Sequence, residues 1–100
     1  MENNKAVNKV RSAAKAIRTA NLDASALLAI DRLIAACDIV EAEAAQYTKI
    51  GYPDQVRDID TSDIASELRR AFGAELGIDL LGAQQFVDDV LYAVDHPGEL

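Results

Sequence analysis

Apolar residues recur every three or four positions along most of the chain, which is the spacing of amphipathic α-helices. Together with the helix-capping residues around it, this pattern predicts helices at 4–20, 23–49, 61–76 and 80–95. Eighteen alanines favour helix further, and β-branched residues do not alternate with polar ones as they would in strands. We therefore expect an all-α fold, a small four-helix domain with a long central second helix, and a single helical domain over residues 1–100.

The second predicted helix carries two apolar strips, bounded by Asp23 as N-cap and by Gly51 and Pro53 as stop signals. A helix with two apolar sides is either buried on both or buried on one and open to a partner. The larger strip contains Leu22, Ala26, Leu27, Ile30, Leu33, Ile34, Cys37, Val40, Ala44 and Tyr47. The smaller strip contains Leu28, Ala35, Ile39 and Ala42.

The third and fourth predicted helices have recognisable ends. Asp60 or Thr61 can cap the third helix, Gly77 is its expected stop, and the fourth begins near Asp79. The expected inner face of the third helix consists of Ile64, Leu68, Ala71, Phe72 and Leu76.

Charge is divided unevenly along the chain. Residues 1–20 hold five basic residues and one acid, whereas residues 21–100 hold five basic residues and sixteen acids, for a net charge of −7. The basic side of the first helix is either a solvated face or a clamp that lies against the acidic remainder or against a phosphate. With a pI near 4.5, the chain is repelled by nucleic-acid phosphates and attracted to basic proteins, so we expect no direct nucleic-acid partner.

The usual catalytic and metal-binding sets are missing from the sequence. His96 and Cys37 are the sole histidine and cysteine, and Cys37 falls on the apolar side of a helix, so neither a nucleophile–base pair nor a zinc site is expected. The run from Asp58 to Asp63 imitates a calcium loop, but Asp63 and Arg69 stand where that loop needs Gly and Glu. We expect no enzyme activity, no metal and no cofactor.

No apolar run reaches the ~20 residues that span a bilayer, and the N-terminus lacks a continuous apolar signal segment. One cysteine forms no intrachain disulfide. The expected location is the cytoplasm of a bacterial host cell, without membrane contact.

Acidic residues concentrate in the loop before the third helix, in that helix and in the fourth helix. Polar groups on irregular backbone are where function tends to concentrate, and the acids here face few bases. We expect a basic protein or ribonucleoprotein complex as partner. The predicted partner-binding residues are Asp54, Asp58, Asp60, Asp63, Glu67, Asp88 and Asp89.

In size, acidity, helix content and these acidic segments, the chain resembles the small anti-CRISPR proteins that phages and mobile elements carry against type I (type I-F-like) surveillance complexes. The strongly basic first helix departs from a pure DNA mimic. The resemblance implies stoichiometric inhibition, in which an acidic surface fills a basic site that otherwise holds target DNA or guide backbone.

Two other classes fit the same features. An immunity or antitoxin partner would use its acidity against a basic toxin. An acyl-carrier-like module is suggested by the segment from Asp60 to Ile64, although a carrier has Asp-Ser-Leu where Ser62 here lies between Thr61 and Asp63.

Overall fold

A computed structural model of the chain describes residues 5–20, 22–49 (side chains as far as 46) and 59–96. The described part consists of four α-helices, and the second is the longest, as the sequence predicts. The first helix ends two residues earlier than expected, in a turn. The helices are α1 (Lys5–Arg18), α2 (Ala24–Lys49), α3 (Thr61–Leu76) and α4 (Leu80–Asp95).

The helices form a closed ring of neighbours around one core. α1 packs against α2 and α4, and α3 packs against the same two helices, so that α2 and α4 lie diagonally across the core. With 26 residues, α2 is about 39 Å long and can contact α1 on one side and α3 on the other. Among the described side chains of α2, the buried ones are Ala36 and four residues of the larger strip, Ile30, Leu33, Cys37 and Val40.

Capping side chains define the described helix ends. The Asp60 carboxylate accepts a hydrogen bond from the Asp63 N–H, and the Asp63 carboxylate accepts one from the Asp60 N–H, which completes a capping box. Gly77 ends α3 in the left-handed conformation (φ 67°), which favours glycine. Asp79 caps α4, and Asp23 accepts from the Ala26 N–H at the start of α2.

The core is built from one face of each helix together with Ile59. Its largest fully buried side chains are Leu33, Ile64, Leu68, Val7, Val10, Val87 and Cys37. Six alanines are buried with them: Ala13, Ala14, Ala36, Ala65, Ala83 and Ala93. Small side chains at the contacts allow the helices to approach closely, so a domain of this size can still close one core.

The inner face of α3 agrees with the expected one at Ile64, Leu68, Phe72 and Leu76 but differs at Ala71. Ala71 is exposed, whereas Ala65 and Gly73 are buried. A Cβ at Gly73 would lie 3.2 Å from the Ile78 carbonyl oxygen, because the chain folds back over this position after α3. A Cβ at this position would thus be in tight contact with the backbone, which favours glycine at 73 although glycine in a helix interior costs about 1 kcal/mol relative to alanine.

The smaller strip of α2 is only partly covered. Ala35 and Ile39 are half-buried, while Leu28 and Ala42 are exposed. Although α2 is long, none of the helices described here is apolar enough over a sufficient length to cross a membrane. Gly51 and Pro53, the expected stop of this helix, lie outside the described residues.

We predict that Leu33→Ala lowers the free energy of unfolding by about 2–5 kcal/mol, because Leu33 is fully buried where it would leave a cavity. Urea denaturation followed by circular dichroism measures the loss. Leu81→Ala is the matched control, since Leu81 is 81% exposed, and should change stability by less than about 0.5 kcal/mol. Equal losses in the two variants would contradict the observed core.

Candidate partner-binding surface

The seven predicted partner-binding acids fall into three groups. Asp54 and Asp58 lie outside the described residues. Asp60 and Asp63 begin α3, and the remaining three lie within helices: Glu67 in α3, Asp88 and Asp89 in α4.

Asp60 and Asp63 hold the start of α3. Asp60 Oδ1 accepts from the Asp63 N–H at 3.1 Å, and Asp63 Oδ2 accepts from the Asp60 N–H at 2.9 Å. The Ser62 hydroxyl also donates to Asp60 Oδ1. Both carboxylates thus satisfy backbone donors of the helix end, and their negative charge is favourable there. Asp60 is exposed and Asp63 is half-buried.

Glu67 has a different environment from the other predicted acids. Its side chain is buried, and both of its oxygens accept hydrogen bonds from Arg70, one turn further along α3. This pairing raises the pKa of Arg70 and balances the buried carboxylate. The Glu67 carboxylate therefore already has a cationic partner and is not part of the open surface.

Asp88 and Asp89 are exposed on α4. The Gln84 amide donates to Asp88 Oδ1 at 3.1 Å, and the Gln85 amide donates to Asp89 Oδ1 at 2.8 Å. Neither carboxylate forms an ion pair with a described residue. The amide donors bring no positive charge, so neither carboxylate is compensated by the residues that the structure describes.

Gln84 connects the two groups of acids. Besides Asp88, its amide nitrogen reaches the Thr61 hydroxyl at 3.5 Å, and Thr61 directly follows Asp60. The start of α3 and Gln84, in the first half of α4, therefore lie side by side. We call the combined set of Asp60, Asp63, Asp88 and Asp89 the acidic surface.

The sequence did not single out Gln84 and Gln85. Their spacing of four from Asp88 and Asp89 is a known signal for side-chain pairs on a helix and could have found them. Their contact with α3 could not have been found in this way, because it depends on how the helices pack.

The basic side of α1 is divided by the packing. Arg11 reaches Asp38 at 2.8 Å and Glu41 at 3.1 Å, and Arg18 reaches Asp31 at 2.6 Å. Burial alone would lower the pKa of Arg11, but its hydrogen bonds with Glu41 and Asp38 outweigh this effect and raise it. The arginines of α1 therefore act as a clamp on α2, one of the two alternatives considered from the sequence.

The lysines of α1 remain outside this clamp. They are exposed and make no ion pair with any described residue: Lys5, Lys9 and Lys15. The arginines of α1 are thus paired with acids of α2, whereas its lysines face the solvent.

A further ion pair joins α2 to α3. Arg32 donates to both oxygens of Glu75, with Nε at 3.0 Å, and its guanidinium carbon lies 5.3 Å from the centre of the Phe72 ring. The hydrogen bond with Glu75 raises the pKa of Arg32. The carboxylates of α2 and α3 are largely neutralised within the fold, whereas those of α4 are not.

His96 lies at the end of α4, and Cys37 lies in the core. His96 caps α4 through its backbone N–H, and its ring stacks on Tyr92 with centroids 3.9 Å apart. Cys37 is fully buried in α2, and burial raises the pKa of its thiol from 9.0 to about 11. A thiol of this kind is mostly protonated at neutral pH and is a poor nucleophile.

Among the described residues, no cluster of three or more His, Cys, Asp or Glu could hold a metal ion.

Comparison with protein-family models, curated proteins and solved structures found no match to this chain.

We predict that Cys37 reacts with a thiol reagent at pH 8 at least about 100-fold more slowly in the folded protein than in denaturant. A pKa near 11 alone lowers the thiolate fraction by about this factor, and burial blocks access as well. The reaction is followed by the absorbance of the chromophore that the thiol reagent releases. Equally fast labelling in native buffer would mean that α2 does not cover this side chain.

Proposed function

We propose that this protein is a non-catalytic binding protein that inhibits a nucleic-acid-handling protein complex by occupying a basic site. The observation that carries the proposal is the unbalanced acidity of α4. This helix contains three aspartates and neither Lys nor Arg, and Asp88 and Asp89 are exposed without an ion pair to any described residue. In its most specific form, suggested by the resemblance, the protein is an anti-CRISPR that blocks target-DNA binding by a type I surveillance complex.

The distribution of ion pairs supports this choice of surface. Arg11, Arg18, Arg32 and Arg70 are each paired with acids of α2 or α3, so the field of those acids is reduced locally. Within the acidic surface, Asp88 and Asp89 have no such pairing with a described base. A concentrated negative field is attracted to grooves lined by Lys and Arg and is repelled by phosphate.

The local structure also favours binding by occupancy. The capping box holds Asp60 and Asp63 at the start of α3, and Gln84 of α4 contacts Thr61 beside them. Carboxylates held in place by a helix end and by amide donors lose less conformational entropy on binding than free surface side chains. The arrangement suits a rigid protein that fills a site.

The proposal implies action in the cytoplasm of a bacterial host cell, with a ribonucleoprotein complex as partner. An antitoxin-type protein would use the same acidic surface against a basic toxin. Copurification from a host that carries both kinds of partner distinguishes the two, since a CRISPR complex and a toxin differ in mass and in RNA content.

We predict that Asp88→Lys with Asp89→Lys weakens partner binding by roughly tenfold or more, equivalent to about 1.4 kcal/mol, and slows association. The free energy of unfolding should change by less than about 1 kcal/mol, because both side chains are exposed. Surface plasmon resonance with the purified complex measures both rate constants.

The single variant Asp89→Lys has Glu43→Lys as its matched control. Both residues are exposed carboxylates without an ion pair to a described residue, but Glu43 lies on α2. Only Asp89→Lys should slow association substantially. Equal effects would mean that net charge, rather than the acidic surface, determines binding.

We predict that inhibition of DNA binding titrates to a fixed ratio of this protein to the complex. It should weaken as salt screens charges over a Debye length of about 8 Å at physiological ionic strength. A gel-shift titration at several salt concentrations measures both effects. Complete inhibition at a small fraction of one equivalent would indicate turnover and would rule out action by occupancy.

A further inference from the structure

Two adjacent leucines at the start of α4 are exposed. Leu80 is 53% exposed and Leu81 is 81% exposed, and no large apolar side chain in the described ranges is more exposed than Leu81. Isolated apolar residues on a surface are common, but neighbouring ones that line a cleft often mark an interaction site.

The leucines lie beside an unpaired cation and an unpaired anion. They line a cleft of about 530 Å³ together with Ser66, Arg69, Arg70 and Asp79. Arg69 is the one described arginine that lacks an ion pair to a described residue. Asp79 Oδ1 accepts the Gly82 N–H at 2.7 Å as the cap of α4, and no described base pairs with its carboxylate.

We infer that this leucine patch, formed by Ser66, Arg69, Asp79, Leu80 and Leu81, is the interface of a symmetric homodimer. In a two-fold interface the same surface meets itself, so each feature needs its complement within the patch. The leucines of two copies bury one another, and Arg69 of each copy can pair with Asp79 of the other. A second copy is therefore the occupant that supplies the apolar centre, the acid and the base together.

This inference goes beyond the proposed function and does not depend on it. Leu81 and Asp88 are seven residues apart on α4, which corresponds to roughly 10 Å along the helix. The dimer would thus present two acidic surfaces close to its interface. Because the patch is small, we expect weak, concentration-dependent association.

Sedimentation equilibrium tests the inference over a concentration series that reaches about 1 mM, as weak association requires. We expect the mass to rise from 10.8 kDa towards twice that value. Leu81→Asp should raise the dissociation constant roughly tenfold or more. Val94→Asp is the matched control, since Val94 is 41% exposed on the same helix but outside the patch, and it should dimerise like the parent.

A double-mutant cycle tests the proposed pairing between copies. Arg69→Gln removes the cation, and Asp79→Ser removes the anion while keeping a side chain that can cap α4. Each single variant should weaken the dimer, and the double variant should be little weaker than either, because both remove the same contact. Circular dichroism checks that the total helix content, to which α4 contributes, is unchanged.

A monomeric mass over the whole concentration range would overturn the inference. So would a dimer that tolerates Leu81→Asp. If Leu81→Asp instead abolished binding to the inhibited complex while the parent remained monomeric, the patch would belong to that partner and not to a second copy.

Discussion

Close approach of four narrow apolar faces is the constraint on which this structure depends. Alanines from all four helices are buried in the core, and Gly73 lies where a Cβ would press on a carbonyl oxygen. Larger side chains such as Leu33 and Leu68 fill the centre. With so few large residues, every helix has to pack against two neighbours, and the ring of helices follows. The rest of each helix surface carries most of the polar groups, together with a few exposed apolar residues such as Leu28 and Leu81.

Packing then decides which charges reach the solvent. Because α1 lies against α2, Arg11 and Arg18 meet carboxylates that are far away in sequence. Exposed ion pairs of this kind contribute little to stability. Their larger effect is on the surface, since they neutralise acids of α2 and leave those of α4 unbalanced. In the described part of the chain, α4 thus stands out as a helix with three aspartates and no base.

Both proposed contacts use side chains at helix ends, on the exposed side of α3 or on the outer face of α4, and neither needs an enclosed cavity. The acids that cap α3 contribute local stability and, in the proposed function, also part of the binding charge. Asp79 has a similar double role in the leucine patch, as cap and as ion-pair partner. A small domain can carry such surfaces at little cost, because they depend on residues that the core does not use.

Local interactions determined what the sequence predicts well. Periodicity located the helices and the burial of Cys37, and the caps at Asp60, Gly77 and Asp79 are formed by neighbours in sequence. Composition determined the overall acidity. Tertiary structure alone decided that Glu67 is buried while Leu81 is exposed, and that Gln84 joins α4 to α3. Helical spacing tells which residues share a face, whereas the contacts of that face depend on which helices become its neighbours.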